Sequence, residues 1–254
     1  MDRGTRLNSE MNLARRVMRG LLPREPPTLE GVDIAVFHEW SREVSGDYYD
    51  FIPLGDGRWG LVVADVVGKG IAAALLVSAL QASLTSLAGL ELALRAIFRR
   101  ANRFLRGTAE HDRDVSHFYA TVFYGILDVP SRRLIYVNAG HLPALLVRAD
   151  GTVEPLEEGG MPLGLFDDPH YYEGFARVEE GDVLALYTDG VTEAADGDDR
   201  PYGVDRLARV LQHARAGEAA SIRDAVVKDL RGFAVDPRSD DETLVIIKAT
   251  GLAV

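Results

Sequence analysis

No cysteine occurs anywhere in the 254 residues. Disulfides, thiolate metal sites and cysteine nucleophiles are therefore excluded, and any metal must be held by oxygen or imidazole ligands. The absence fits a reducing cytoplasm, the compartment expected here. Basic charge is also scarce: 28 Lys and Arg stand against 39 Asp and Glu, a formal net charge of −11. A surface of that sign repels nucleic-acid phosphates, so no nucleic-acid partner is expected. Residues 1–16 lack the apolar stretch of a secretion signal. The longest apolar run, Ile71–Leu80, is too short to span a bilayer and reads as a buried helix, so no membrane partner is expected. Repeats and low-complexity tracts are missing as well. What remains is 47% hydrophobic and 26% charged, the balance of an ordinary globular chain long enough to bury a sizeable core.

Leu7, Met11, Ala14, Met18 and Leu21 alternate spacings of four and three, the rhythm of a short coiled-coil seam. Leu7–Leu22 reads as an amphipathic helix and Pro23–Glu30 as a linker. The helix either packs on its own domain or pairs with a second copy in a homodimer. Residues 1–30 are thus a switch or linker segment, and 31–254 a separate domain. Strand-like runs follow at Val32–Phe37 and Trp59–Ala64. Ile71–Leu87 is apolar almost all round, which predicts a helix buried on several sides. Leu90–Leu105 gathers Leu94, Ile97, Phe98, Ala101 and Leu105 on one face with arginines elsewhere, a half-exposed helix. Tyr119–Leu127, Leu134–Asn138, Ala144–Arg148 and Val153–Leu156 are strands joined by short turns, hence antiparallel hairpins. Val183–Tyr187 and Thr243–Lys248 are strands, and Asp205–Ala214 and Ala220–Phe233 helices. Strand runs broken by paired helices, without βαβ alternation, predict an α+β fold with antiparallel sheets.

Four acidic sites lie at strand ends or in glycine turns: Asp47 with Asp50, Asp65, Asp189, and Asp240 with Asp241. Carboxylates at strand ends can converge above a sheet. Converging carboxylates repel one another and need a cation, and hard oxygen ligands select Mg²⁺ or Mn²⁺. Two such ions about 3.5–4 Å apart can activate a water and clamp a phosphoryl group. Taken singly, each aspartate reads as a turn former or cap, and spacing alone does not bring the four together.

An ordered series of motifs does. Ser45-Gly46-Asp47-Tyr48-Tyr49-Asp50-Phe51 is followed by Asp65-Val66-Val67-Gly68-Lys69-Gly70 with Ala72-Ala73-Ala74-Leu75. Then come Tyr136-Val137-Asn138-Ala139-Gly140-His141, Met161-Pro162-Leu163-Gly164, Tyr187-Thr188-Asp189-Gly190-Val191-Thr192-Glu193-Ala194 and Asp240-Asp241-Glu242-Thr243-Leu244. The series resembles the PPM (type-2C) phosphatase domain in its SpoIIE/RsbU branch, from about Gly31 to Ala249. The resemblance implies two central, mostly antiparallel β-sheets flanked by helices, a four-layer α-β-β-α sandwich, here with an N-terminal helix. It implies two Mn²⁺ or Mg²⁺ ions, with Asp47 and Asp65 as bridging ligands, the Val66 carbonyl completing one ion, Asp189 and Asp240 on the other, and Asp241 supporting the site. Three positions depart from the pattern: Ser45 where the family has glycine, Val67 where serine is usual, and Lys69 where histidine is common. None removes a carboxylate.

Two cations are candidates for substrate contact. Arg42 lies five residues before Asp47, an offset similar to that of a phosphate-gripping arginine in eukaryotic relatives, and a guanidinium suits bidentate binding. Lys69 either brings positive charge toward phosphate or is simply exposed ahead of a helix. His38, His141 and His170 read as structural. No Walker A loop, Gly-x-Ser-x-Gly elbow or Ser/His/Asp triad occurs. The implied reaction is metal-dependent hydrolysis of phosphoserine or phosphothreonine. The implied substrate is a phosphorylated anti-sigma-factor antagonist, a STAS-domain protein in a bacterial partner-switching pathway, under an upstream sensor or activator. The rival is a regulatory binding module of the same fold with little or no turnover.

Overall fold

A computed structural model describes residues 3–88, 90, 93–109, 118–235 and 240–251. Helix α1 (Arg3–Leu21) precedes strands β1 (Val32–Glu39), β2 (Asp47–Gly55) and β3 (Arg58–Val66), then helices α2 (Ile71–Ala88) and α3 (Leu94–Ala109). Strands β4 (Ala120–Asp128), β5 (Arg133–Ala139), β6 (Ala144–Val147), β7 (Val153–Leu156), β8 (Gly159–Gly160), β9 (Gly174–Arg177) and β10 (Val183–Tyr187) follow. Helices α4 (Asp189–Thr192), α5 (Val204–Ala214) and α6 (Ala219–Phe233) lead to β11 (Glu242–Ala249). Residues 91 and 92 of the helix expected over Leu90–Leu105, and the side chain of Leu7 in the N-terminal stripe, lie outside the described residues.

Two sheets form, ordered β1-β11-β10-β6-β7 and β2-β3-β4-β5-β8, with β9 also on β5. Every pairing is antiparallel except β5 with β8. The two expected hairpins are present, but in different sheets: β4–β5 in the second and β6–β7 in the first. Sheet strands buried on both faces explain the continuous apolar runs. In β10 and β11, Leu184, Leu186, Val245 and Ile247 face the core between the sheets. Val183, Ala185, Leu244 and Ile246 face the core under α5 and α6. Helices α2 and α3 cover the outer face of the second sheet, which completes the α-β-β-α sandwich.

Helix α2 departs from expectation. By length and composition it could cross a bilayer, but Val77, Leu80 and Leu84 are fully buried against the sheet. It is not buried on several sides: Ile71 and Leu75 are 50% and 66% exposed. The helix belongs to an outer layer, and its apolar look on the far face comes largely from small residues such as Ala72 and Ala82. Helix α3 buries the five residues expected of it.

Helix α1 docks on its own domain. Met18 is 2% exposed, Met11 and Ala14 pack beside it, and the Ser45 amide donates to Met18 Sδ at 3.4 Å. Among the described side chains of this helix, Leu13 and Val17 are the exposed large apolar residues. Met11→Glu with Met18→Glu therefore buries charge without a partner. A cost of about 3 kcal/mol is expected to lower the Tm by roughly 5 °C or more, read by calorimetry. An unchanged Tm with a lowered sedimentation coefficient would instead mean that the stripe joins two copies.

Candidate active site

Asp47 opens β2 and lies directly across from Asp65 in β3, which in turn faces Thr121 in β4. Cross-strand partners project from the same face about 5 Å apart, and like charges there destabilise the pair. That face looks toward the other sheet, since the Thr188 and Thr243 hydroxyls donate to Asp47 Oδ2 at 2.7 and 2.5 Å. Asp50 projects from the opposite face, accepting from the Tyr48 hydroxyl at 2.7 Å and the Phe51 amide at 2.8 Å.

The first sheet contributes the other acids. Strand β10 ends where its antiparallel neighbour β11 begins, with Tyr187 opposite Leu244. The residues after β10 and before β11 therefore meet at one end of the sandwich. Asp189 follows the first strand, and Asp240 and Asp241 precede the second. Gly190 is required there: a Cβ would come within 2.0 Å of the Asp241 carbonyl oxygen.

Asp241 organises the loop between β1 and β2. Its Oδ1 accepts from the Ser41 amide at 2.7 Å and hydroxyl at 2.9 Å, and its Oδ2 from the Gly46 amide at 2.8 Å. Ser45 is buried, and its hydroxyl accepts from the Asp47 amide at 3.0 Å, so this departure from the glycine pattern helps to fix the aspartate. Gly46 lies against the metal-ligand candidates. A Cβ on it would fall 2.9 Å from the Val66 carbonyl oxygen and 3.5 Å from Asp65 Oδ1.

A cavity of ≈ 240 Å³ opens over Asp65 and Asp189, walled by Thr121, His141 and Glu193. A larger cleft of ≈ 420 Å³ lies beneath α1, but the smaller one holds the facing carboxylates. His141 ties the two sheets together under it. Its Nε2–H donates to the Tyr187 carbonyl at 3.1 Å, and the Thr121 hydroxyl meets Nδ1 at 2.8 Å. Burial pulls this histidine down to about 4, so it is neutral at pH 7.

Charge repulsion marks the site. Burial and then the Asp65 carboxylate hold Asp47 well above the usual carboxylate range. Burial, then Asp189, Asp240 and Asp241, push Asp65 up to about 7. Asp189 is raised by burial, then by Asp240 and Glu193. These all-oxygen donors match hard divalent cations, which would relieve the repulsion. The Gly46 cradle keeps side-chain bulk away from Asp65 and the Val66 carbonyl. As they stand, no three His, Asp or Glu side chains among the described residues surround one point closely enough to hold an ion. Asp47 Oδ2 is taken by two hydroxyls, and Asp240 Oδ2 by Lys69 Nζ at 2.9 Å.

Residues 55–250 match the family described as Stage II sporulation protein E. The chain belongs to the SpoIIE family. Among its relatives, the phosphoserine phosphatase RsbU of Bacillus subtilis is 30% identical over 247 residues, covering 95% of this chain and 70% of RsbU. The phosphoserine phosphatase RsbP of the same organism is 28% identical over 239 residues, covering 94% of this chain and 57% of RsbP. The chain thus spans roughly half the length of the first curated relatives it matches. The SiaA-PP2C domain of Pseudomonas aeruginosa superposes with a TM-score of 0.83 at 20% identity, covering 96% of this chain and 98% of that one. RsbX with magnesium and the PstP catalytic domain with two manganese ions share the fold at TM-scores of 0.66 and 0.63 and identities of 17% and 18%. They cover 89% and 87% of this chain and 99% of each of those chains.

Against this SpoIIE-type fold, Asp47, Asp65, Asp189, Asp240, Asp241 and Val66 all come to one end of the sandwich, as does Lys69. Arg42 is exposed, makes no hydrogen bond or ion pair with a described residue, and does not line the cavity. Thr188, Thr243 and Glu193 were not singled out from sequence. The two threonines flank the expected ligands in the motifs, which is the clue that was there to be used. Lys69 and Asp240 are 40% and 42% exposed in their ion pair. An exposed pair is worth about 0.2–1 kcal/mol, so Lys69→Met is expected to tighten manganese binding by up to about fivefold in calorimetry. Weaker binding would assign Lys69 a role other than competing for Asp240.

Proposed function

We propose that this chain is a divalent-metal-dependent phosphoprotein phosphatase acting on phosphoserine or phosphothreonine. The observation that carries the reading is Asp47 across from Asp65, with Asp65 facing Asp189 and Asp240 from the other sheet. The SpoIIE family membership and the phosphoserine phosphatase names of RsbU and RsbP support it. Asp47, Asp65, the Val66 carbonyl, Asp189 and Asp240 would hold two Mn²⁺ or Mg²⁺ ions. Bound, such ions supply charge stabilisation to the phosphoryl group and an acidified water. The chain's own residues prepare the position. Asp241 fastens the 41–46 loop, Thr188 and Thr243 orient Asp47, and His141 holds Thr121 and the Tyr187 backbone together beneath the cavity.

On this reading the substrate is a phosphorylated STAS-domain antagonist of an anti-sigma factor, and the chain works in the cytoplasm under an upstream sensor or activator. A second copy pairing through α1 would meet Leu13 and Val17. The test is release of phosphate from a phosphoserine STAS protein, and from p-nitrophenyl phosphate, with and without Mn²⁺. Manganese-dependent release from both supports the reading. Tight binding of the phosphoprotein with no release of phosphate would favour the regulatory binding module.

A further inference from the structure

One chain of hydrogen bonds runs from the cleft beneath α1 to Asp47. It begins at Trp40, whose ring carries the Arg15 and Arg19 guanidinium groups at 5.7 and 5.6 Å from its centroid. An indole N–H has no lone pair to offer and can only donate. Here it donates to His38 Nε2, which must therefore be the unprotonated nitrogen. Burial draws His38 down to about 4, so the ring is neutral at pH 7 and its single proton is on Nδ1. Nδ1–H donates to the Thr243 hydroxyl oxygen at 2.8 Å. Thr243, accepting there, turns its own proton to Asp47 Oδ2 at 2.5 Å. Each direction follows from the one before it, and the first is set by chemistry that cannot reverse.

Asp47 is 1% exposed. Its Oδ2 is held toward the other sheet by Thr243 and by the Thr188 hydroxyl at 2.7 Å, and Thr188 in turn accepts from the Thr243 amide at 3.0 Å. Oδ1 receives no hydrogen bond from a described residue. Carboxylate χ2 is a soft, roughly two-fold torsion, and the Asp65 charge opposite would otherwise rotate the group away. We infer that Trp40, His38 and Thr243 are positioning residues that set which Asp47 oxygen is offered to a bound divalent ion. The inference rests on the metal-dependent reading above and names residues outside the expected ligand set. It also gives half-buried His38 a directional role that a purely structural histidine would lack.

The test uses the full chain and reads manganese affinity by calorimetry. Outer partners of metal ligands are typically worth roughly 10–100-fold in affinity. Thr243→Val and His38→Leu are expected to weaken manganese binding within that range. Thr243→Ser, which keeps the hydroxyl, and His38→Asn, which keeps a donor near the Nδ1 position, are expected to restore most of it. Trp40→Phe keeps an aromatic ring and removes the donor, and is expected to weaken binding severalfold. As a spectroscopic readout, Mg²⁺ is expected to shift the Trp40 indole N–H resonance in the wild type and not in Thr243→Ser combined with His38→Leu. Wild-type manganese affinity in Trp40→Phe and His38→Leu, with an indole resonance indifferent to Mg²⁺, overturns the inference while leaving the phosphatase reading intact. A wild-type chain that binds neither ion removes that reading, and the inference with it. Should Thr243→Val fail to fold, the pairs His38→Leu with His38→Asn and wild type with Trp40→Phe decide the matter.

Discussion

Asp65→Asn and Asp189→Asn are each expected to cut manganese-dependent phosphate release by about a thousandfold or more and to leave the chain folded. The magnitude follows from the several kcal/mol of transition-state stabilisation a metal centre supplies, at about 1.4 kcal/mol per tenfold in rate. The fold is expected to survive because these carboxylates do not hold it together. Asp65 is pushed up to about 7 by burial and then by Asp189, Asp240 and Asp241. Its ionised form is therefore strained in the metal-free chain, and a neutral amide of the same shape removes that strain. Calorimetry of both metal-free variants should give a Tm equal to or above the wild type's. Rates within tenfold of wild type in both variants would show that the reaction centre lies elsewhere. A fall in Tm would show instead that the acids make structural contacts beyond those seen here.

The architecture was largely legible because the sheets are buried on both sides. Val183–Tyr187 and Thr243–Lys248 read as strands from their unbroken apolar runs, and those runs exist because α5 and α6 cover the face that would otherwise be polar. Strand β2 was not legible. Its Asp50 turns toward the helix layer, where the Tyr48 hydroxyl satisfies it, and Pro53 breaks the strand signal near a register shift. Strand β8 is two residues long, too short to leave a pattern, and β9, Gly174–Arg177, has one large apolar residue, Phe175, and opens on a glycine. Missing β2 meant missing the register that sets Asp47 against Asp65. The convergence of the four acids is a property of two sheet registers and one strand order, and no local window contains it. Family resemblance supplied that meeting point. The hydroxyls around Asp47 escaped notice because each has an ordinary explanation: β propensity for Thr243 in β11, and helix capping for Thr188 ahead of α4.

Metal removal is expected to abolish turnover and to expose the repulsion directly. In chelator, phosphate release should fall to background and return on adding Mn²⁺. Undiminished release from stripped protein would sink the metal-dependent reading. Stability carries the same information with a defined sign. The Asp65 carboxyl has a folded pKa of about 7 against an ordinary value of 3.8. Between those values the folded state binds more protons than the unfolded one, so this group's contribution to stability falls as pH rises and is flat above about 7. His38 and His141, both drawn to about 4 by burial from 6.5, act oppositely, and stability from them rises between those values. The total curve therefore mixes signs, and the difference between two proteins isolates Asp65 together with its effect on Asp47, whose carboxyl it raises, so that both changes carry the same sign. The Tm of metal-free Asp65→Asn minus that of metal-free wild type is expected to grow from about pH 4 to about pH 7 and then to level. Saturating Mn²⁺ should invert the comparison. An ion that binds only the folded state adds about 2.7 kcal/mol at a hundred times its Kd, and the variant lacking a ligand gains less. A difference that stays flat from about pH 4 to about pH 7 in chelator would mean that Asp65 is ionised and well solvated in the metal-free chain, and that the acids do not face one another.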